Sequence, residues 1–259
     1  MNRRILDLEG VVNFRDYGDY ATAAGARIHP GRLYRSAHHG RATDADLEAI
    51  AGLGIAVVVD LRRPNERKRE PSRRHAGFAG QVIETHVGDA EDDPWWDFVR
   101  SSDLSEEAFR DYLMGYYRAA PFDPRLLDLY SRYFAALAEA DGPVLIHCAA
   151  GKDRTGILAA LTHHLIGVHP DDIVADYLLT NEAIAFEQRM PLMMQAIAEG
   201  AGREPTPAAV RVAMGVDEAF LEAALAAIKT SHGAIDDYLQ TALGVDPALR
   251  AKVEARLVG

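Results

Sequence analysis

Val144-Leu145-Ile146 is a short apolar run that enters a loop carrying Gly151 and Gly156, and a helical pattern follows at once. Ile157, Leu158, Leu161 and Leu165 recur on one helical face, and Gly167 supplies the stop. A buried strand passing through a tight loop into a helix belongs to an α/β fold, with a small, mostly parallel sheet flanked by helices. Similar β-branched runs at residues 32–37, 55–60 and 82–87 supply further strands. Thr43-Asp44-Ala45-Asp46 caps a helix that ends near Gly54 and feeds the strand at 55–60. From residue 170 onward the pattern is helical only, with helices expected at 171–186, 191–198, 217–229, 235–242 and 247–257. A flexible break is expected at 200–207, where Gly-Ala-Gly-Arg-Glu-Pro-Thr-Pro stands. At 259 residues, the chain fits one domain over 1–259 with a helical cover over roughly 171–259.

The loop has the chemistry of a phosphate trap. It reads His147-Cys148-Ala149-Ala150-Gly151-Lys152-Asp153-Arg154-Thr155-Gly156, with the chain's one cysteine six positions before an arginine. A thiolate on the loop floor attacks phosphorus while backbone N–H groups and one guanidinium hold the non-bridging oxygens. The loop ends at a helix N-terminus, whose free N–H groups and dipole favour a bound anion and an ionised sulfur. Gly151 and Gly156 let the backbone curl around the anion. The same exposure to oxidants follows, since no second cysteine exists to rescue a sulfenic acid at Cys148.

Other classes drop out on composition. A net charge of −11 disfavours nucleic acid. A single cysteine excludes an internal disulfide and argues against structural zinc. The apolar runs fall short of the roughly 20 residues that cross a bilayer. The first ten residues, Met1 to Gly10, carry acids where an export signal needs an apolar stretch, so a cytoplasmic location is expected.

The loop matches H-C-x-x-G-x-x-R-[ST], the signature of the cysteine-dependent phosphatase superfamily, and its Gly151-Lys152-Asp153-Arg154-Thr155-Gly156 filling resembles the bacterial tyrosine phosphatases related to the mycobacterial secreted tyrosine phosphatase B. Asn13-Phe14-Arg15-Asp16, Gly31-Arg32-Leu33-Tyr34-Arg35-Ser36, Val58-Val59-Asp60-Leu61-Arg62 and Val174-Ala175-Asp176-Tyr177-Leu178 look like that group's recurring blocks, in order. The resemblance implies the cysteine-phosphatase fold and a metal-free, cofactor-free hydrolysis through phospho-Cys148. It makes Arg154 the bidentate clamp, and Cys148, Ala149, Ala150, Gly151, Lys152, Asp153 and Arg154 the phosphate cradle. It also makes His147 an organiser of the loop rather than a proton shuttle. Thr155 is either a donor to the thiolate or only a first-turn helix residue. The leaving oxygen's proton is expected from an aspartate after an earlier strand. Asp89 lies nearest the end of the strand at 82–87, with Asp92 and Asp153 as rivals. Asp153 alternatively holds Lys152 or Arg154 in place.

The expected substrate is phosphotyrosine on protein, with dual specificity open and inorganic phosphate as product. Lys152 as a second cation at the pocket rim, with the basic run through Arg62, Arg63, Arg67, Lys68, Arg69, Arg73 and Arg74, motivates a phosphoinositide as the alternative. Glu66 and Glu70 interleave with that run, which also suits a solvated face. Trp95, Trp96, Phe98, Tyr112, Tyr116 and Tyr117 supply core and, among them, a wall for a phosphotyrosine ring. A phosphate-binding module without turnover is the third reading.

Overall fold

The computed structural model describes residues 4–87 and 93–259. In chain order the elements are β1 (Arg15–Asp16), β2 (Leu33–Ser36), α1 (Asp44–Ala51), β3 (Val57–Asp60), α2 (Pro64–Arg69), β4 (Gln81–Ile83), α3 (Pro94–Ser101), α4 (Glu106–Ala119), α5 (Pro124–Glu139), β5 (Val144–His147) and α6 (Asp153–Ile166). There follow α7 (Pro170–Leu178), α8 (Thr180–Ala183), α9 (Phe186–Ala201), α10 (Pro207–Met214), α11 (Glu218–His232), α12 (Ile235–Thr241) and α13 (Pro247–Leu257). The α/β expectation stands. The described strands form a five-stranded sheet in the order β1-β2-β5-β3-β4, parallel except for the antiparallel β1 edge.

β5 is central and buried along its whole length, as its unbroken apolar run requires. Its last residue, His147, is level with Ser36 of β2 and Asp60 of β3, so three neighbouring strands deliver their carboxyl ends to one place. α6 leaves from there and is apolar nearly all round, which buries it between the sheet and the later helices. Gly167 closes it in the left-handed conformation at φ +80°. At α1, Thr43 and Asp46 cap each other reciprocally, with Asp46 N–H donating to Thr43 Oγ1 at 3.2 Å and Thr43 N–H to Asp46 Oδ2 at 2.9 Å.

The C-terminal stretch is helical throughout, but its helices join two different cores. Tyr177, Phe220, Leu221, Tyr238, Val253 and Leu257 pack into the main core with β5, α5 and α6. Ile197 of α9 and Val210, Ala213 and Met214 of α10 instead pack with Val99, Leu104 and Phe109. No helix among the described residues is long and apolar enough to cross a membrane.

Several expected boundaries shift. The helix at 171–186 divides into α7 and α8 at Leu179, and α8 ends at Ala183, before Ala185 takes a left-handed turn at φ +51° that separates it from α9. The helix at 191–198 runs from Phe186 to Ala201 with Pro191 inside it, where a proline would ordinarily mark a start. The break at 200–207 accordingly begins only after Ala201, at the left-handed Gly202. β4 stops at Ile83 rather than residue 87, since its pairing with β3 ends at Val59 and the Arg67 side chain takes the Thr85 carbonyl.

Candidate active site

Cys148 follows β5 directly and is 1% exposed. The carbonyls of the loop beyond it are tied outward. His38 N–H donates to Ala149 O at 3.2 Å. Asn13 Nδ2 donates to Ala150 O at 3.0 Å and to Gly151 O at 2.9 Å. Arg35 Nη2 donates to Gly151 O at 3.0 Å, and the Tyr130 hydroxyl to Arg154 O at 2.8 Å. Among the described residues, the N–H groups of Ala149, Ala150, Gly151, Lys152, Asp153 and Arg154 donate to nothing. A loop with its acceptors held outside and its donors unpaired is an anion cradle.

Gly151 makes the curl possible. It adopts φ +69°, and a Cβ there would overlap the Ser36 carbonyl and the Ala37 nitrogen. Gly151→Ala is expected to destabilise the protein by about 2 kcal/mol or more, lowering the melting midpoint, and to cut activity at least about tenfold. Thermal unfolding and initial rates check this, and a variant with wild-type values for both would show that the loop does not need this backbone.

A buried charged platform lies beneath. Arg35 Nη1 meets Asp176 Oδ2 at 2.8 Å, and Arg15 Nε lies 3.6 Å from Asp176 Oδ1. Arg15 also donates to the Asn13 side-chain oxygen and, at 3.0 Å, to the Asp176 carbonyl. Burial alone would raise the Asp176 carboxyl, but the two guanidiniums outweigh it and hold it below its ordinary value. Two cations against one carboxylate leave positive charge directly under the cradle. Asn13 itself takes φ +58°, a conformation asparagine tolerates better than most residues.

Arg154 is aimed by Glu66. Its Nη1 donates to Glu66 Oε2 at 2.6 Å and to Leu61 O at 3.2 Å, and its Nη2 donates to Glu66 Oε1 at 2.8 Å. A guanidinium has five N–H donors, so Nε–H and the second Nη2 hydrogen remain along one edge. That edge presents the parallel pair of donors a phosphoryl group accepts. Burial would raise the Glu66 carboxyl, yet Arg154 brings it from 4.5 down to about 2. A depressed folded value means that this pair stabilises the protein fully above pH 4.5 and loses its effect as pH falls toward 2. Glu66→Gln is expected to flatten the acid limb of stability in that window and to lower kcat about tenfold through a misaimed Arg154. Denaturant melts from pH 6 downward, run beside the wild type, measure it; parallel acid limbs would remove Glu66 from this role.

His147 is buried, its ring stacked on His39 with centroids 5.2 Å apart. Burial, with help from Arg62 and Arg74, brings its imidazole down to about 4 against the opposing pull of Asp60. Nδ1 lies 3.4 Å from Cys148 O and Nε2 3.7 Å from Asp60 Oδ2. The Thr155 hydroxyl is fully buried and has no hydrogen-bond partner among the described residues. Asp153 Oδ1 accepts from the Tyr117 hydroxyl at 2.8 Å, which lies 2.6 Å from the Tyr177 hydroxyl. Asp89 and Asp92 lie outside the described residues.

The expectation of Lys152 as a rim cation needs correcting. Its ammonium is buried under α10, donating to Ala213 O at 2.6 Å and Gly215 O at 3.2 Å, with Asp153 Oδ1 at 3.5 Å. It ties the loop to the helices above, because the carboxyl end of α10 offers carbonyls that a cation satisfies. The basic run is likewise mostly paired with carboxylates. Arg62 is buried on Asp60 at 2.7 Å, Arg67 lies 3.4 Å from Glu84, and Arg69 and Arg73 meet Asp93 and Asp44 at 2.9 and 2.6 Å. Of the aromatic group, Trp95, Trp96 and Phe98 pack into the α9–α10 core, and Phe98 stacks on Tyr112 at 4.3 Å. Tyr117 touches the loop directly through Asp153, and Tyr116 feels the charges of Arg154, Asp153 and Cys148.

Residues 6–259 match the model of the tyrosine phosphatase family. The chain is 36% identical over 260 residues to a putative tyrosine-protein phosphatase of Cupriavidus necator, covering 95% of this chain and 86% of that one. It is 32% identical over 286 residues to the triple specificity protein phosphatase PtpB of Mycobacterium tuberculosis, covering 98% of this chain and 99% of that one. A tyrosine-protein phosphatase of Nostoc commune is 33% identical over 179 residues, 67% of this chain and 58% of its own length.

Proposed function

The chain belongs to the tyrosine phosphatase family, and from that premise we propose that it hydrolyses phosphotyrosine on protein in two steps through phospho-Cys148. The row of N–H groups from Ala149 to Arg154, directly after Cys148 and unpaired among the described residues, carries this reading. The Cys148 thiolate attacks phosphorus in line, the bond to the tyrosine oxygen breaks, and that oxygen takes a proton from Asp89. Charge spreading over the phosphoryl oxygens is met by the loop amides and by the Nε–Nη2 edge of Arg154. Asp89, now a carboxylate, takes a proton from water as the water attacks phospho-Cys148. Inorganic phosphate leaves and the thiolate returns. The unpartnered Thr155 hydroxyl supports the reading of Thr155 as a donor to the sulfur. The buried, neutral His147 suits an organiser of the Cys148 backbone. The chemistry calls for no metal and no cofactor.

Asp153 is the rival acid, and its bond to Tyr117 supports a positioning role instead. Asp89→Asn is expected to lower kcat about 100-fold on phosphotyrosine and far less on an aryl phosphate whose phenol leaves without a proton. Asp153→Asn is expected to affect both substrates alike. If the leaving-group dependence appears in the Asp153 variant and not in the Asp89 one, the assignment reverses.

The phosphoinositide alternative loses its main support with the burial of Lys152. One experiment compares them: phosphate release in EDTA from a phosphotyrosine peptide and from a phosphoinositide, with wild type and Cys148→Ser. Faster release from the peptide, absent in the serine variant, is the expected result. Faster release from the lipid would replace the substrate, and none from either would leave the phosphate-binding module.

A further inference from the structure

The two faces of the sheet are covered unequally. Val57, Val59, Val144 and Ile146 point into the main core, while their strand neighbours Val58 and Leu145 point the other way, as alternation demands. On that second face, among the described residues, α1 and the N-terminal segment supply a small cluster with Phe14, Leu47 and Ile55. In this thinner layer lies a cavity of about 460 Å3, bounded by α1, β3 and the segment leading to β4. Its volume is in the ~300–1,000 Å3 range of pockets that enclose a small organic ligand. The lining is chiefly aliphatic, from Leu47, Ile50, Ile55, Val58 and Leu145, with Phe78 at one side.

Arg74 lines the same cavity. It is half-buried, and unlike Arg62, Arg67, Arg69 and Arg73 it has no carboxylate or carbonyl partner among the described residues. Its charge still reaches inward, working against protonation of both His39 and His147. A partly desolvated guanidinium beside an aliphatic cavity matches a molecule with one anionic end and a hydrocarbon body.

We propose that this cavity binds a long-chain carboxylate, with its hydrocarbon against Ile50, Val58 and Phe78 and its head on Arg74. The site is separate from the phosphate loop and reaches it through His39. His39 lines the cavity, hydrogen-bonds Ser36 Oγ at 3.0 Å, and stacks on the residue preceding Cys148.

Titration calorimetry of the full chain with dodecanoate, kept below its micelle concentration, tests the proposal. One molecule is expected to bind per chain, and inorganic phosphate is expected not to displace it. Arg74→Gln is expected to weaken binding about tenfold or more, and dodecyltrimethylammonium to bind weaker than dodecanoate by a similar factor. Val58→Phe, which fills the cavity floor, is expected to abolish binding. Should that variant not fold, Arg74→Gln alone decides, because Arg74 holds no partner whose loss would unfold the protein. Absence of binding, displacement by phosphate, or equal affinity in the Arg74 variant would each overturn the assignment.

Discussion

Cys148→Ser is expected to fold normally and to lose on the order of 10^4-fold or more in kcat toward a phosphotyrosine peptide. Cys148 sits at the end of β5 and is buried against the main core, so the slightly smaller serine changes little packing. The chemistry changes greatly, since a serine hydroxyl is a far weaker nucleophile toward phosphorus than a cysteine sulfur. The cradle itself survives, because its amides and Arg154 are positioned by Asn13, Arg35 and Glu66 rather than by sulfur. The serine variant should therefore still bind a phosphotyrosine peptide while failing to turn it over. Retention of more than about a hundredth of wild-type kcat would mean that another group attacks phosphorus.

Arg154→Lys is expected to cost about 10^3-fold in kcat, the next largest loss. In the proposed mechanism Arg154 serves two partners from two edges, with Nη1 and Nη2 on Glu66 and the Nε–Nη2 edge left for the phosphoryl group. An ammonium is a point charge and cannot meet a carboxylate and a phosphoryl group in that fixed geometry. The lysine variant is expected to pair with Glu66 and desert the substrate, so kcat falls more than KM rises. Steady-state kinetics separate the two quantities. A lysine variant within tenfold of wild type would show that charge alone, without the forked donor geometry, suffices at this position.

β2, β3, β5 and the position of the reactive loop were legible because their signals are local, whereas the two-residue β1 has no such signal. Val144 to Ile146 is a continuous apolar run, Gly167 terminates α6, and the Thr43–Asp46 cap is written into four consecutive residues. α4 and α5 carry signals as plain, with Phe109, Leu113 and Tyr117 at four-residue spacing and Leu126, Leu129, Tyr130, Tyr133 and Leu137 along one face. What holds the loop was not legible. Asn13, Arg15, Arg35, Glu66 and Asp176 meet the loop or each other across large sequence separations, and nothing in their local spacing predicts which cation finds which carbonyl. Asn13, Arg15, Arg35 and Asp176 do fall within the segments that resemble the family, which was the available pointer. Lys152 shows the opposite error: a cation beside a phosphate loop reads as a substrate contact, until the carbonyls closing α10 prove to be its partners.

The central claim is that the phosphoryl group passes through the sulfur of Cys148. Rapid acid quench of the protein with a phosphotyrosine peptide, followed by peptide mass spectrometry, tests it most directly. The account predicts one phosphoryl group on the peptide containing Cys148, appearing before free phosphate, accumulating in Asp89→Asn, and absent from Cys148→Ser. Phosphate released with no phosphorylated Cys148 at any time point, or the phosphoryl group found on another residue, would contradict it.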